Sequence, residues 1–125
     1  PMGDLTVGLG YGSATDTNTE TSVGATVGYV AGGGTLTLGY GQSSLNGGDA
    51  TYMGATYAMS LDADTSLAVG YATTDEGTSS TQVTEVGITR AMGGGVSLFL
   101  DYSSIAGSTG SGNNSAMAFG TNIAF

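Results

Sequence analysis

Every second residue is apolar through eight separate stretches of this chain. Leu5, Val7, Leu9 and Tyr11 alternate with Thr6, Gly8 and Gly10, and Val23, Ala25, Val27 and Tyr29 alternate with Gly24, Thr26 and Gly28. The same parity runs through 36–40, 53–59, 67–71, 86–88, 96–102 and 117–125. A period of two sends alternate side chains to opposite sides of a strand. The pattern therefore predicts eight strands of about eight to eleven residues, each greasy on one face only, with no helical period between them.

The connections alternate as well. AGGG (31–34), SLDADTS (60–66) and AMGGG (91–95) are short, and their Gly and Asp residues suit tight hairpin turns that need positive φ. SATDTNTET, SSLNGGDAT, TTDEGTSST and SSIAGSTGSGNNS read as longer polar loops. Short turns at one end and long loops at the other describe an up-and-down antiparallel meander. Tyr11, Tyr40, Tyr71 and Tyr102 each close an apolar run just before a long loop, at spacings of 29, 31 and 31 residues. Residues 1–125 thus read as a single segment of four hairpin repeats.

Which medium meets the apolar face is decided by the opposite one. In a soluble sheet that second face carries long charged side chains. Here it carries Gly, Thr, Ser and Ala, with Glu85 and Asp101 as its mid-strand charges, while Asp16, Glu20, Asp49, Asp62, Asp64, Asp75 and Glu76 fall in loops and turns. An uncharged strand body between charged rims is expected of a wall crossing a bilayer. Tyrosine agrees, because a ring with an apolar body and a polar hydroxyl prefers the level where hydrocarbon meets headgroups. Tyr11, Tyr40, Tyr71 and Tyr102 form one expected aromatic girdle, and Tyr29 and Tyr57 lie toward the opposite one. Strands in lipid must pair into a closed barrel. An eight-stranded barrel has an interior filled by side chains, which a glycine-rich lining does not supply, so the expected fold is an all-β transmembrane barrel of wider bore to which this chain contributes eight strands.

Composition narrows the chemistry. Ten acidic residues face a single basic one, Arg90, for a net charge of −9, which argues against nucleic acid or an anionic membrane surface as partner. Cys and His are absent, so thiol catalysis, a Cys/His zinc site and a Ser-His-Asp triad are excluded. No apolar run reaches the roughly 18 residues of a membrane helix. The chain begins at Pro1 without an initiator Met, which reads as a processed or partial piece of something longer.

The strand MGDLTVGLGYG, the Gly-rich turns, the hairpin repeat and the terminal SAMAFGTNIAF together resemble the C-terminal half of a Gram-negative general porin, most closely the alphaproteobacterial, Rhodobacter-type family. The resemblance implies a sixteen-stranded outer-membrane barrel, a homotrimer, and passive diffusion of small hydrophilic solutes and ions. It also implies that Phe125, Ile123 and Phe119 belong to the terminal signal read by the barrel-assembly machinery. The family's constriction loop sets acidic residues against a basic cluster, whereas the longest loop here, 103–115, is uncharged.

Within that frame Glu85 and Asp101, with Thr26, Thr37 and Thr56, are expected to line the pore, the two acids biasing it toward cations. Arg90 shares the parity of Val86 and Ile88, so it is expected to snorkel near the AMGGG turn. LDADTS and TDEG bring acids close together, yet neither matches a twelve-residue Ca²⁺ loop, and NGGD (46–49) is a lone fragment of a Ca²⁺-binding β-helix repeat. A solvated acidic rim is the favoured reading, with Ca²⁺ on these carboxylates as its alternative, and no cofactor, catalytic site or other metal is expected. Two other readings remain at this level: a self-contained eight-stranded barrel with a structural or adhesive role, and a secreted Gly-rich β-fibre or solenoid.

Overall fold

The computed structural model describes residues 5–15, 19–45, 48–107 and 113–124. Eight strands are present: β1 (Leu5–Thr15), β2 (Thr19–Ala31), β3 (Gly34–Leu45), β4 (Gly48–Ser60), β5 (Thr65–Asp75), β6 (Ser80–Gly93), β7 (Val96–Gly107) and β8 (Asn114–Ile123). They form one antiparallel sheet in the order β1 to β8, each strand hydrogen-bonded to its neighbours in sequence. Among the described residues β1 and β8 make no contact, so the sheet is open along both outer edges. The antiparallel meander excludes a solenoid, whose strands run parallel.

Five of the eight strands, β2, β3, β4, β6 and β7, run to 12–14 residues and exceed the expected length, and the reason lies at the loop end. The β3–β4 ladder runs on to Leu45 opposite Gly48, and the β5–β6 ladder to Asp75 opposite Ser80. Most of what reads as long polar loop is therefore continued hairpin. Ser and Thr backbones pair as well as Leu backbones do, so the change in hydropathy marks where the apolar stripe stops, not where hydrogen bonding stops.

At the other end the turns are as short as their glycines require. Ala31 pairs with Gly34 across Gly32 and Gly33, whose φ values of 61° and 81° are both positive, as a two-residue type I′ turn demands. The β6–β7 turn uses Gly93, Gly94 and Gly95 in the same way, beside a register shift between Ala91 and Gly93. The β4–β5 turn departs from expectation, because no non-Gly residue among those described has positive φ. Asp62 organises it by its carboxylate instead: Oδ1 accepts the Asp64 amide at 2.8 Å and Oδ2 the Thr65 hydroxyl at 3.1 Å.

The register preserves the parity of every strand. One row crosses the whole sheet through Leu5, Tyr29, Leu36, Tyr57, Val69, Val86, Tyr102 and Met117, apolar at each position. Two residues along lies Val7, Val27, Leu38, Ala55 and Tyr71. A slip of one residue in any pair would throw that strand's apolar set onto the other face. Among the described residues nothing covers this face: Leu9 is 84% exposed, Phe119 74% and Met117 72%, and the one buried apolar side chain is Ala50. The described residues of the sheet form no hydrophobic core of their own.

Candidate functional site

Two surfaces and their rims make up the site. On the apolar face, the tyrosines before the loops form a staircase in the register. Counted against β1, Tyr11, Tyr40, Tyr71 and Tyr102 align with residues 11, 9, 7 and 5, a shift of two residues for each hairpin. The turns at the opposite end step in the same direction: Ala31, Ser60 and Gly93 close their hairpins progressively farther from the shared row. Four rings so placed lie at one level when the strands incline by about 35°, given ~3.4 Å per residue and ~4.8 Å between strands. That inclination is the one strands take in closed β-barrels, transmembrane barrels among them.

Tyr29 shares its row with Tyr57, so the two do not form a second level belt. Tyr29 is half-exposed on the apolar face. Tyr57 reaches toward the β2–β3 turn, its hydroxyl donating to the carbonyl oxygens of Ala31 at 3.0 Å and Gly32 at 3.4 Å. The ring passes over Gly34, where a Cβ would stand 2.7 Å from Tyr57 Cζ.

The second face holds the expected pore-lining residues. Thr37, Thr56 and Glu85 occupy one row with Gly28, Gly70 and Ser103. Thr26 lies one row toward the loops, between Gly8 and Gly39, and Asp101 one row toward the turns, opposite Gly87. Glu85 and Asp101 stand diagonally across β6 and β7 and share a hollow of about 380 Å³ with Thr56, Gly70 and Ser103. A Cβ on Gly87 would meet Asp101 Oδ1 at 2.6 Å, so the carboxylate reaches over that glycine. Among the described residues this face carries no basic side chain.

Glycine does two different things on this face. At Gly120 the space is taken by the Phe99 ring, whose Cζ is 2.7 Å from where a Cβ would be, and at Gly8 by Thr26 Oγ1 at 2.6 Å. At Gly10 nothing lies within 4 Å, and Gly10, Gly24, Gly41 and Gly54 open a hollow of about 540 Å³ beside Tyr52. Tyr52 is the aromatic residue that the girdle reasoning missed. Its parity with Gly54 and Thr56 was the available signal that it points away from the other tyrosines.

Arg90 lies on the apolar face at the short-turn rim, opposite Thr65 and Leu98. Its Nη1 donates to Thr65 Oγ1 at 3.1 Å and sits 3.7 Å from Asp62 Oδ2. The Asp64 amide, then the Thr65 hydroxyl, and finally the Arg90 charge hold the Asp62 carboxyl below its ordinary range. Two acids of the LDADTS and TDEG stretches are engaged in their own turns: Asp62 as above, and Asp75 through Oδ1 to the Gly77 amide at 2.9 Å. Among the described residues no three Asp, Glu, His or Cys side chains gather as a metal would need. Phe119 and Ile123 are exposed on the apolar face of β8; Phe125 and Asp16 lie outside the described residues, as do Asn46 and Gly47 of the NGGD stretch.

No family model matches this chain, and no curated protein matches it. Solved structures do. A loop-L8 deletion mutant of OmpT, an outer membrane protein of Vibrio cholerae, superposes with a TM-score of 0.72 at 18% identity, covering 94% of this chain and 49% of its own. OmpT expressed in the outer membrane of Vibrio cholerae gives 0.67 at 17% identity over 86% of this chain and 43% of its own, and the in-vitro folded form gives 0.66 over 86% and 42%. The chain spans about half the length of the solved structures it matches. Its fold is that of eight consecutive antiparallel strands in the wall of an outer-membrane β-barrel.

Proposed function

We propose that this chain forms part of the wall of a bacterial outer-membrane porin, a water-filled channel through which small hydrophilic solutes and ions diffuse passively. One observation carries the reading: an eight-strand register that collects the apolar side chains on one uncovered face and Gly, Thr and Ser on the other, with no core between them. Such a sheet is stable where hydrocarbon wets one side and water the other. Likeness to outer-membrane proteins of Vibrio cholerae supports the same location. The open edges of β1 and β8 would leave backbone groups unpaired in lipid, so further strands complete the barrel, sixteen in all by the porin resemblance.

In this reading the small-residue face is the lumen. Glu85 and Asp101 place negative charge along it with no basic side chain opposing them among the described residues, so cations pass in preference to anions. The channel performs no chemistry; transport is by diffusion. Trimer formation, delivery by the barrel-assembly machinery and kinship with alphaproteobacterial porins belong to the same proposal. The purified full-length protein, reconstituted into a planar lipid bilayer, tests it. Stepwise, long-lived, ohmic conductance is expected; folded protein that inserts without conducting would overturn the channel.

A further inference from the structure

At the short-turn rim, the apolar face carries a groove of about 250 Å³ bounded by Ile88, Leu98, Leu100 and Phe119, with Thr65 and Arg90 at its mouth. Two features set it apart from the rest of that face. It ends on the chain's sole cation, and that cation is paired with an acid. Arg90 and Asp62 are both more than half exposed, at 57% and 54%, and 3.7 Å apart. Among the described residues the guanidinium meets Thr65 and Asp62 through Nη1, on a side chain that is more than half exposed. A guanidinium suits phosphate oxygens as a two-pronged donor. The neighbouring carboxylate suits an ammonium.

We infer that this groove holds one zwitterionic phospholipid, its phosphate on Arg90, its ammonium on Asp62, and one acyl chain along Ile88, Leu100 and Phe119. The inference rests on the membrane reading above. Charge complementarity selects the occupant. A purely anionic headgroup gains the guanidinium but meets Asp62 and Asp64 on the same rim, in a chain of net charge −9. A headgroup bearing both signs satisfies both partners at once. The volume fits part of a single chain and is below that of most small-molecule pockets. A phosphate without acyl chains would lack the apolar contacts, so free phosphate or phosphoethanolamine is not the ligand.

Native mass spectrometry of the delipidated full-length protein in non-ionic detergent provides the test. Phosphatidylethanolamine and phosphatidylglycerol with matched acyl chains are added in equal amounts. One retained phosphatidylethanolamine per chain is expected, in at least tenfold excess over phosphatidylglycerol. Arg90→Gln should abolish that adduct, and Asp62→Asn should erase the preference between the two lipids. Leu100→Trp fills the groove while sparing the charged pair, and should also remove the adduct. Equal adducts of both lipids, unchanged by Arg90→Gln and Leu100→Trp, would overturn the inference, as would no adduct on protein that is folded in detergent. Folding to a soluble monomer without detergent would instead defeat the membrane reading itself.

Discussion

The hydroxyl of Tyr57 on β4 crosses the whole width of β3 to donate to the Ala31 carbonyl at the end of β2, 3.0 Å away. Gly34 lets it pass, because any side chain there would collide with the ring and with the Ala58 carbonyl. A tyrosine facing hydrocarbon has no water to satisfy its hydroxyl, so the turn carbonyls serve. Tyr57→Phe should lower unfolding stability by about 1 kcal/mol. Gly34→Ala should cost more, since both ring and backbone must shift. Heat-induced unfolding in detergent, followed by circular dichroism, gives the comparison, and a Gly34→Ala protein as stable as the wild type would show that the ring is not held there.

Leu36 and Thr37 are adjacent in sequence and opposite in environment. Leu36 sits in the apolar row between Tyr29 and Tyr57, and Thr37 faces Thr56 on the other side. Lysine at position 36 should cost about 2–4 kcal/mol in a bilayer, and lysine at 37 less than about 0.5 kcal/mol. Denaturant titration of folding into lipid vesicles measures both. Equal penalties would mean that the two faces meet the same medium.

Glu85 and Asp101 share one hollow, so their fields add. A carboxylate about 6 Å from a monovalent cation in water contributes roughly 0.7 kcal/mol. Because the same charge repels an anion as strongly as it draws a cation, Glu85→Gln and Asp101→Asn should each lower the cation-to-anion permeability ratio by up to about tenfold. Reversal potentials under a salt gradient at low ionic strength read this directly. A double variant with unchanged selectivity would move the selectivity filter to another part of the barrel.

The Asp62 carboxyl is held below its ordinary value of 3.8, first by the Asp64 amide. Folding therefore favours its ionised form. The stabilisation is present above the ordinary carboxylate range and is lost as pH falls through the lower folded value. The melting temperature of the wild type should consequently drop further than that of Asp62→Asn when pH is lowered from about 6 to about 2.5. Parallel pH dependence of the two proteins would show that the turn does not draw on that charge.

Period-two alternation was enough to identify the eight strands, their two faces and the residues on each, because the sidedness of a strand is a local property of its backbone. That is how Thr37, Thr56, Glu85 and Asp101 were placed on one face, and Arg90 on the other, from parity alone. Cross-strand register is not local. It made a diagonal pair of Glu85 and Asp101, turned the regular tyrosine spacing into a two-residue staircase, and separated Tyr57 from the girdle by giving its hydroxyl a partner 26 residues away. The polar stretches misled about loops, since hydropathy reports the medium around a side chain and is silent on backbone pairing. Likewise glycine count alone could not distinguish Gly10, which opens a hollow, from Gly120, which lies beneath Phe99. Local alternation decided which side of the wall each residue faces; pairing between strands decided which residues meet, because hydrogen-bonded neighbours far apart in sequence are set by the ladder and not by the pattern within any one strand.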